Sequence, residues 1–282
     1  MKNEVINGGE DVYSRVLQWY GHMGVDEVLE DHPLDWFELS EKQVKQPVTP
    51  KKPMQSSAPL AAPTSKPQSR PVTRSYSAVP PDNAVNDARE KVKTAKTLQE
   101  LEDILRSFEG CGLKATAKNT CIYRGSPDAK LMMIGEAPGR DEDIQGVPFV
   151  GRAGQLLDKM LAAIGHDEKN TYITNIVYWR PPGNRTPTPQ EAQICLPFLI
   201  RQIELIKPQV LVFLGGAAAK HMLNTNDGIM KLRGKWKEME IGGAQIKAIA
   251  TLHPAYLLRT PAGKKLAWKD FLAIRQEAGL TD

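Results

Sequence analysis

Lys130-Leu131-Met132-Met133-Ile134 runs straight into Gly135-Glu136-Ala137-Pro138-Gly139, then Glu142-Asp143, then Gly146-Val147-Pro148-Phe149-Val150-Gly151, and ends against Gln155-Leu156-Leu157-Asp158-Lys159-Met160-Leu161. The first run is short and apolar, as a buried strand is; the last has its apolar residues at helical spacing. Between them lies a Gly/Pro loop carrying acids and one aromatic. α/β proteins place their chemistry where a strand opens into such a loop, and glycine lets the backbone bend close to a ligand.

Working outward, strands and helices alternate. Thr97 to Phe108 reads as a helix, with Thr97 as N-cap and Glu100 three residues on. Gln155–Ile164 is a helix ending at Gly165, and Thr171–Val177 a strand. Thr188–Ile206 is a long helix, with Pro189 in its first turn and Pro208 beyond its end. Val210–Leu214 is a buried strand, Ala217–Leu223 a short helix, and Leu266–Gln276 the closing helix. Trp236–Ile241 and Ile246–Ala250 form a hairpin across Gly242-Gly243. The predicted fold class is α/β: three layers, α/β/α, around a short, mainly parallel four-stranded sheet.

Composition divides the 282 residues into three zones. Residues 1–40 hold Val16, Leu17, Trp19, Tyr20 and Met23 at helical spacing and are expected to form a short amphipathic segment. Residues 41–87 are rich in Pro, Ser and Lys and nearly free of large apolar side chains, so a disordered linker is expected. Residues 88–282 form the domain. The segment on its tether reads as an arm for a replication or repair partner, with a dispensable extension as the plain alternative. A net charge of +4 permits nucleic acid as a partner without arguing for it. Three widely spaced cysteines suit a reducing cytosol better than a disulfide framework. Met1-Lys2-Asn3-Glu4 leads into polar sequence, and no apolar run approaches the ~20 residues that span a bilayer, so neither signal peptide nor membrane contact is expected. The expected setting is the bacterial cytosol, at the nucleoid, as a monomer.

Loops that follow parallel strands gather at one edge of a sheet. Here they bring together Glu136, Phe149, Asn175, Arg180, Arg185, Gly215-Gly216, His253 and Arg259. This set suits a flat, polar, aromatic ligand. Phe149 can stack on it, and Asn175 can read a base edge that bears a carbonyl beside an N–H. His253 can donate to an oxygen that gains charge. Arg180, Arg185 and Arg259 suit phosphates, and Tyr256-Leu257-Leu258 is an apolar wedge of the kind that fills a gap in a base stack. Each feature also has a bland counterpart: a strand-to-helix turn for Gly135–Gly139, a turn-former for Asn175, solvated charges for Arg180 and Arg185, a simple cap for Glu142-Asp143.

In order, GEAPG at 135–139, ED at 142–143, GVPFVGRAG at 146–154, TNIV at 174–177, RPPGNR at 180–185, CLPFL at 195–199 and HPAYLLR at 253–259 resemble the family 4 uracil-DNA glycosylases. The resemblance covers roughly residues 100 to 275. It implies a parallel sheet between helices and hydrolysis of the bond joining uracil to deoxyribose in DNA, the first step of base-excision repair. It also implies roles. Glu136 lies near the attacking water, Phe149 stacks on uracil, and Asn175 holds the base edge, with Gly135 and Ala137 in the same substrate-binding group. His253 contacts uracil O2 and steadies the departing anion, while the loop from Tyr256 to Arg259 enters the DNA minor groove. Thymine is expected to be excluded by contact at its 5-methyl group.

The chain departs from the family at its 4Fe–4S cluster. Of four cysteine positions only Cys111 and Cys195 remain; Phe108 and Trp179 stand at the others, and Cys121 lies at an unrelated place. A cluster wants four thiolates or close substitutes. No cluster or other metal is therefore expected, and Phe108 and Trp179 are expected to pack together in its stead. Two rivals to the enzyme stay in view: a non-catalytic module that binds uracil, lesions or single strands, and a variant that traps uracil-DNA covalently. Intact Glu136, Asn175 and His253 argue against the first. The second is set aside because such relatives carry a histidine in the loop that here reads Trp179-Arg180-Pro181-Pro182-Gly183-Asn184-Arg185.

Overall fold

A computed structural model describes residues 81–279, all within the unit Pro71–Asp282. The segment 1–40 and the linker up to residue 80 lie outside the described residues. In chain order the elements are α1 (Pro81–Thr94), α2 (Leu98–Ser107), β1 (Tyr123–Gly125), β2 (Leu131–Gly135), α3 (Arg140–Gln145), α4 (Arg152–Ala162), β3 (Thr171–Asn175), α5 (Pro189–Ile206), β4 (Val210–Leu214), α6 (Gly216–Leu223), α7 (Ile229–Leu232), β5 (Trp236–Ile241), β6 (Ala244–Thr251), α8 (Pro254–Arg259) and α9 (Lys264–Glu277).

Six strands form one sheet in the order β1-β3-β2-β4-β6-β5. The inner four are parallel, and β1 and β5 are antiparallel edges. The expected four-stranded sheet is thus corrected to six. β1 escapes sequence patterning because three residues carry no period; its Tyr123 ring stacks on Tyr172, 4.6 Å between centroids. β2, β3 and β4 are buried along their whole length, as parallel strands covered on both faces must be. Met132, Ile134, Tyr172, Leu211 and Phe213 face a core shared with α1, α2, α5 and α6. Leu131, Met133, Ile173, Val212 and Leu214 face the other core, with Leu157 and Leu161 of α4 and Phe271 and Ile274 of α9. Period-two alternation thus supplies both interfaces of the three-layer arrangement, each large buried side chain contributing about 1.5–3 kcal/mol.

The domain starts earlier than residue 88: residues 81–87, expected as disordered linker, lie in α1. Ala84, Ala88 and Val92, four residues apart, are buried where α1 packs on α5. The Arg201 guanidinium then holds the Ala95 carbonyl at 2.7 and 3.0 Å. α5 opens with the expected cap. Thr188 Oγ1 accepts the Glu191 N–H at 3.2 Å, and the Glu191 carboxylate accepts the Thr188 N–H at 2.8 Å.

From β2 the chain moves to β3 on one side; from β4 it moves to β6 on the other. The sheet's switch point therefore lies between β2 and β4, and a crevice opens beyond the carboxyl ends of the inner strands. In-register pairing of Gly135 with Asn175 and of Leu214 with Thr251 fixes what stands around it.

Candidate active site

Asn175, Glu136 and His253 leave the ends of β3, β2 and β6 to line one cleft of about 420 Å³, with Ala137, Phe149, Arg185, Thr186, Tyr256 and Arg259 also in its walls. Gly135 packs behind two of these walls. A methyl group there would lie 2.4 Å from both the Phe149 ring and Asn175 Oδ1, so this position admits no side chain. Asn175 is 1% exposed, and its Oδ1 has no hydrogen-bond partner. A buried acceptor without a partner costs about 1–3 kcal/mol, so it marks where a donor belongs. Phe149 adopts φ 57°, a left-handed conformation that costs a residue with a side chain about 1–2 kcal/mol. Its ring lies 5.8 Å, centroid to centroid, from that of His253.

Glu142 holds this loop closed. Its carboxylate accepts the N–H of Gly139 at 3.1 Å and of Gly151 at 2.9 Å, tying together the two ends of the segment that carries Phe149. The Cys121 thiol donates to the Glu142 carbonyl at 3.1 Å; burial, then the charges of Asp143 and Glu142, push that thiol up to about 12. Asp143 caps the neighbouring chain, accepting N–H groups from Lys118 at 2.7 Å and Asn119 at 3.2 Å. Glu136 is half-buried. Burial raises its carboxyl pKa, and a hydrogen bond with the Thr186 hydroxyl opposes that shift.

His253 is the N-cap of α8. Its Nδ1 accepts the Ala255 N–H at 3.1 Å, so the ring proton resides on Nε2. Burial, and then the Arg259 charge, lower its pKa to about 4; at neutral pH it is an uncharged donor. Its backbone is set from below. Gly215, at φ 91°, donates its N–H to the Thr251 carbonyl at 2.9 Å, and a methyl group there would come within 2.9 Å of His253 Cβ. The Thr251 hydroxyl donates to Asp270 at 2.7 Å, and Arg233 donates to both oxygens of Asp270 at 2.6 and 3.1 Å. This buried ion pair anchors the last residue of β6, two before His253.

The model of the uracil DNA glycosylase superfamily matches residues 122–272. The chain belongs to that superfamily. A type-4 uracil-DNA glycosylase of Archaeoglobus fulgidus is 42% identical over 189 residues, which are 64% of this chain and 95% of the relative. Type-4 uracil-DNA glycosylases of Thermotoga maritima and Pyrobaculum aerophilum are 41% identical over 168 residues and 39% over 169, each match covering 58% of this chain and 86% of the relative.

Within this superfamily member, residues singled out as DNA contacts separate. Tyr256 and Leu258 are each 38% exposed, whereas Leu257 is buried among Leu252 and Ala267. Arg259 is exposed at the cleft. Arg185 is engaged by Glu191 at 2.7 and 2.8 Å and by the Thr186 carbonyl at 3.0 Å, which makes it a brace for the Thr186 loop. Arg180 stands outside the cleft lining and bonds Asn184 Oδ1 at 2.6 Å. Sequence reasoning missed Thr186, Asp270 and Arg233; the one available signal was a charge, Asp270, on the apolar side of a helix.

The cluster locus does not fit a 4Fe–4S group. Cys111 and Cys195 are buried with their thiols hydrogen-bonded to each other, and burial raises the Cys195 pKa. The other two positions hold aromatic rings: Phe108 and Trp179 are buried in the same core. Their ring contacts go elsewhere than to each other. Phe108 lies edge-on to Phe198 at 5.0 Å and Trp179 edge-on to Tyr178 at 6.2 Å, with the indole N–H donated to Thr120 at 3.1 Å.

Proposed function

We propose that this protein is a uracil-DNA glycosylase, hydrolysing the N-glycosidic bond of a uracil turned out of the DNA stack. Asn175 carries the proposal: a buried amide oxygen without a partner suits the N3–H of uracil, and the amide NH₂ beside it suits O4. Cytosine would set its N3 lone pair against that oxygen, and an unpaired polar contact of this kind costs about 1–3 kcal/mol. Phe149 supplies a face for the base.

Turning the nucleotide out costs a few kcal/mol. Arg259 on the phosphates and exposed Tyr256 or Leu258 in the vacated gap would offset it. As the C1′–N1 bond breaks, its electron pair stays on uracil and the sugar becomes cationic. Neutral His253 donates from Nε2 to O2, where negative charge collects. A charged imidazole is not required, and the burial that lowers its pKa keeps the donor neutral. Water then adds to C1′, and its proton goes to Glu136, whose burial makes it a better base than an exposed carboxylate. Two remaining thiols and two aromatic side chains that cannot ligate iron at the cluster locus support a cluster-free enzyme. Three free cysteines suit the cytosol. The amino-terminal segment is kept for a replication or repair partner.

The test is a uracil-containing oligonucleotide incubated with the protein and then treated with alkali. Strand breakage at uracil, absent with Glu136→Gln and His253→Ala, is expected. A gel shift without breakage would leave a binding module instead, and an adduct stable to denaturant a covalent trap.

A further inference from the structure

Opposite its buried side, α9 carries Trp268, 44% exposed, and Leu272, 43% exposed, one turn apart. An apolar cavity of about 210 Å³ opens beside Trp268, walled by Met160 of α4 and Ala163 at its C-cap, Ala267 and Phe271 of α9, and Leu257 of α8. Lys159 and Lys264 also line it, and Lys265 and Lys269 are exposed on α9. None of the four ammonium groups is held by a hydrogen bond or ion pair among the described residues. The acids of α9 are engaged elsewhere, Asp270 inward on Arg233 and Glu277 on Lys247.

We propose that this face docks an acidic peptide bearing an apolar anchor. The anchor enters the cavity against Trp268, and the flanking carboxylates meet the lysines. An exposed aromatic beside an apolar pocket is the composition of an interface hot spot, and unpaired positive charge on the same face selects and steers a negative partner. A DNA backbone would use the lysines, but it offers nothing to Trp268, Leu272 or the cavity. No residue of this cavity lines the uracil cleft. Leu257 walls the dock while its neighbours Tyr256 and Leu258 are exposed on the same helix, so a bound partner sits behind the DNA-facing helix and leaves the cleft open.

The probe is a fluorescein-labelled decapeptide alternating Asp with Leu and ending in Phe, titrated with the full chain and followed by anisotropy. Saturable binding is expected. Trp268→Ala, Leu272→Ser or the pair Lys264→Glu/Lys269→Glu should weaken it at least about tenfold, as should replacing the peptide's Leu and Phe by Ser. Equal affinity of wild type and both apolar variants would overturn the proposal. So would a charge-reversed pair that keeps the peptide but loses an undamaged duplex, which would make the face a phosphate track. No uracil is present, so neither outcome depends on the assignment of the cleft.

Discussion

Replacing His253 with asparagine separates the charge of the imidazole from its role as a cap. Asparagine can accept the Ala255 N–H as an N-cap but does not titrate. In the folded protein, burial and the Arg259 charge hold the imidazole pKa at about 4, against an ordinary 6.5. As pH falls below 6.5 the unfolded chain takes up a proton that the folded chain refuses. Stability therefore drops until about pH 4, where both states carry the proton. At 1.36 kcal/mol per pH unit, the loss due to His253 across that window is about 3 kcal/mol. Urea unfolding between about pH 7 and pH 4 should show the wild type losing about 3 kcal/mol more than His253→Asn, with parallel curves above that window. His166 and His221, whose pKa values burial also lowers, titrate alike in both proteins and cancel. Equal losses would mean that the folded imidazole is solvated or already charged, and the reasoning that makes it a neutral donor to the uracil anion would fail.

Gly135→Ala puts a methyl 2.4 Å from Phe149 and Asn175; kcat/KM for uracil release should fall about a hundredfold or more, and an unchanged value would contradict the packing of the cleft. Asp270→Asn leaves Arg233 buried without its charge partner and should cost about 3–5 kcal/mol in urea unfolding; a cost below about 1 kcal/mol would place that pair in solvent. Iron analysis of the purified protein should find no stoichiometric iron, and Cys111→Ala/Cys195→Ala should release uracil within about twofold of wild type. Iron bound in proportion to protein, lost in that variant, would restore the cluster.

The parallel strands were legible because burial on both faces leaves uninterrupted apolar runs, as in Val210–Leu214. α1 was not, because its buried stripe is mostly alanine and looks like the Ala-containing sequence before it. At the site, Glu136, Phe149, Asn175 and His253 stood out as polar or aromatic residues in Gly/Pro loops beside strands, and the cleft gathers all four. What those residues rest on was hidden. That Glu142 spans Gly139 to Gly151, that Arg185 belongs to Glu191, and that Leu257 turns inward while its neighbours turn out are facts of three-dimensional packing. No spacing along the chain encodes them.

The central claim is a pocket that takes uracil out of DNA and stabilises it as a leaving anion. A crystal structure of the His253→Ala variant with a uracil-containing duplex tests it most directly. The base should lie outside the helix, its N3–H on Asn175 Oδ1 and its face on Phe149, with Glu136 beside C1′. A uracil still stacked in the duplex, or an extrahelical one seated away from Asn175, would contradict it.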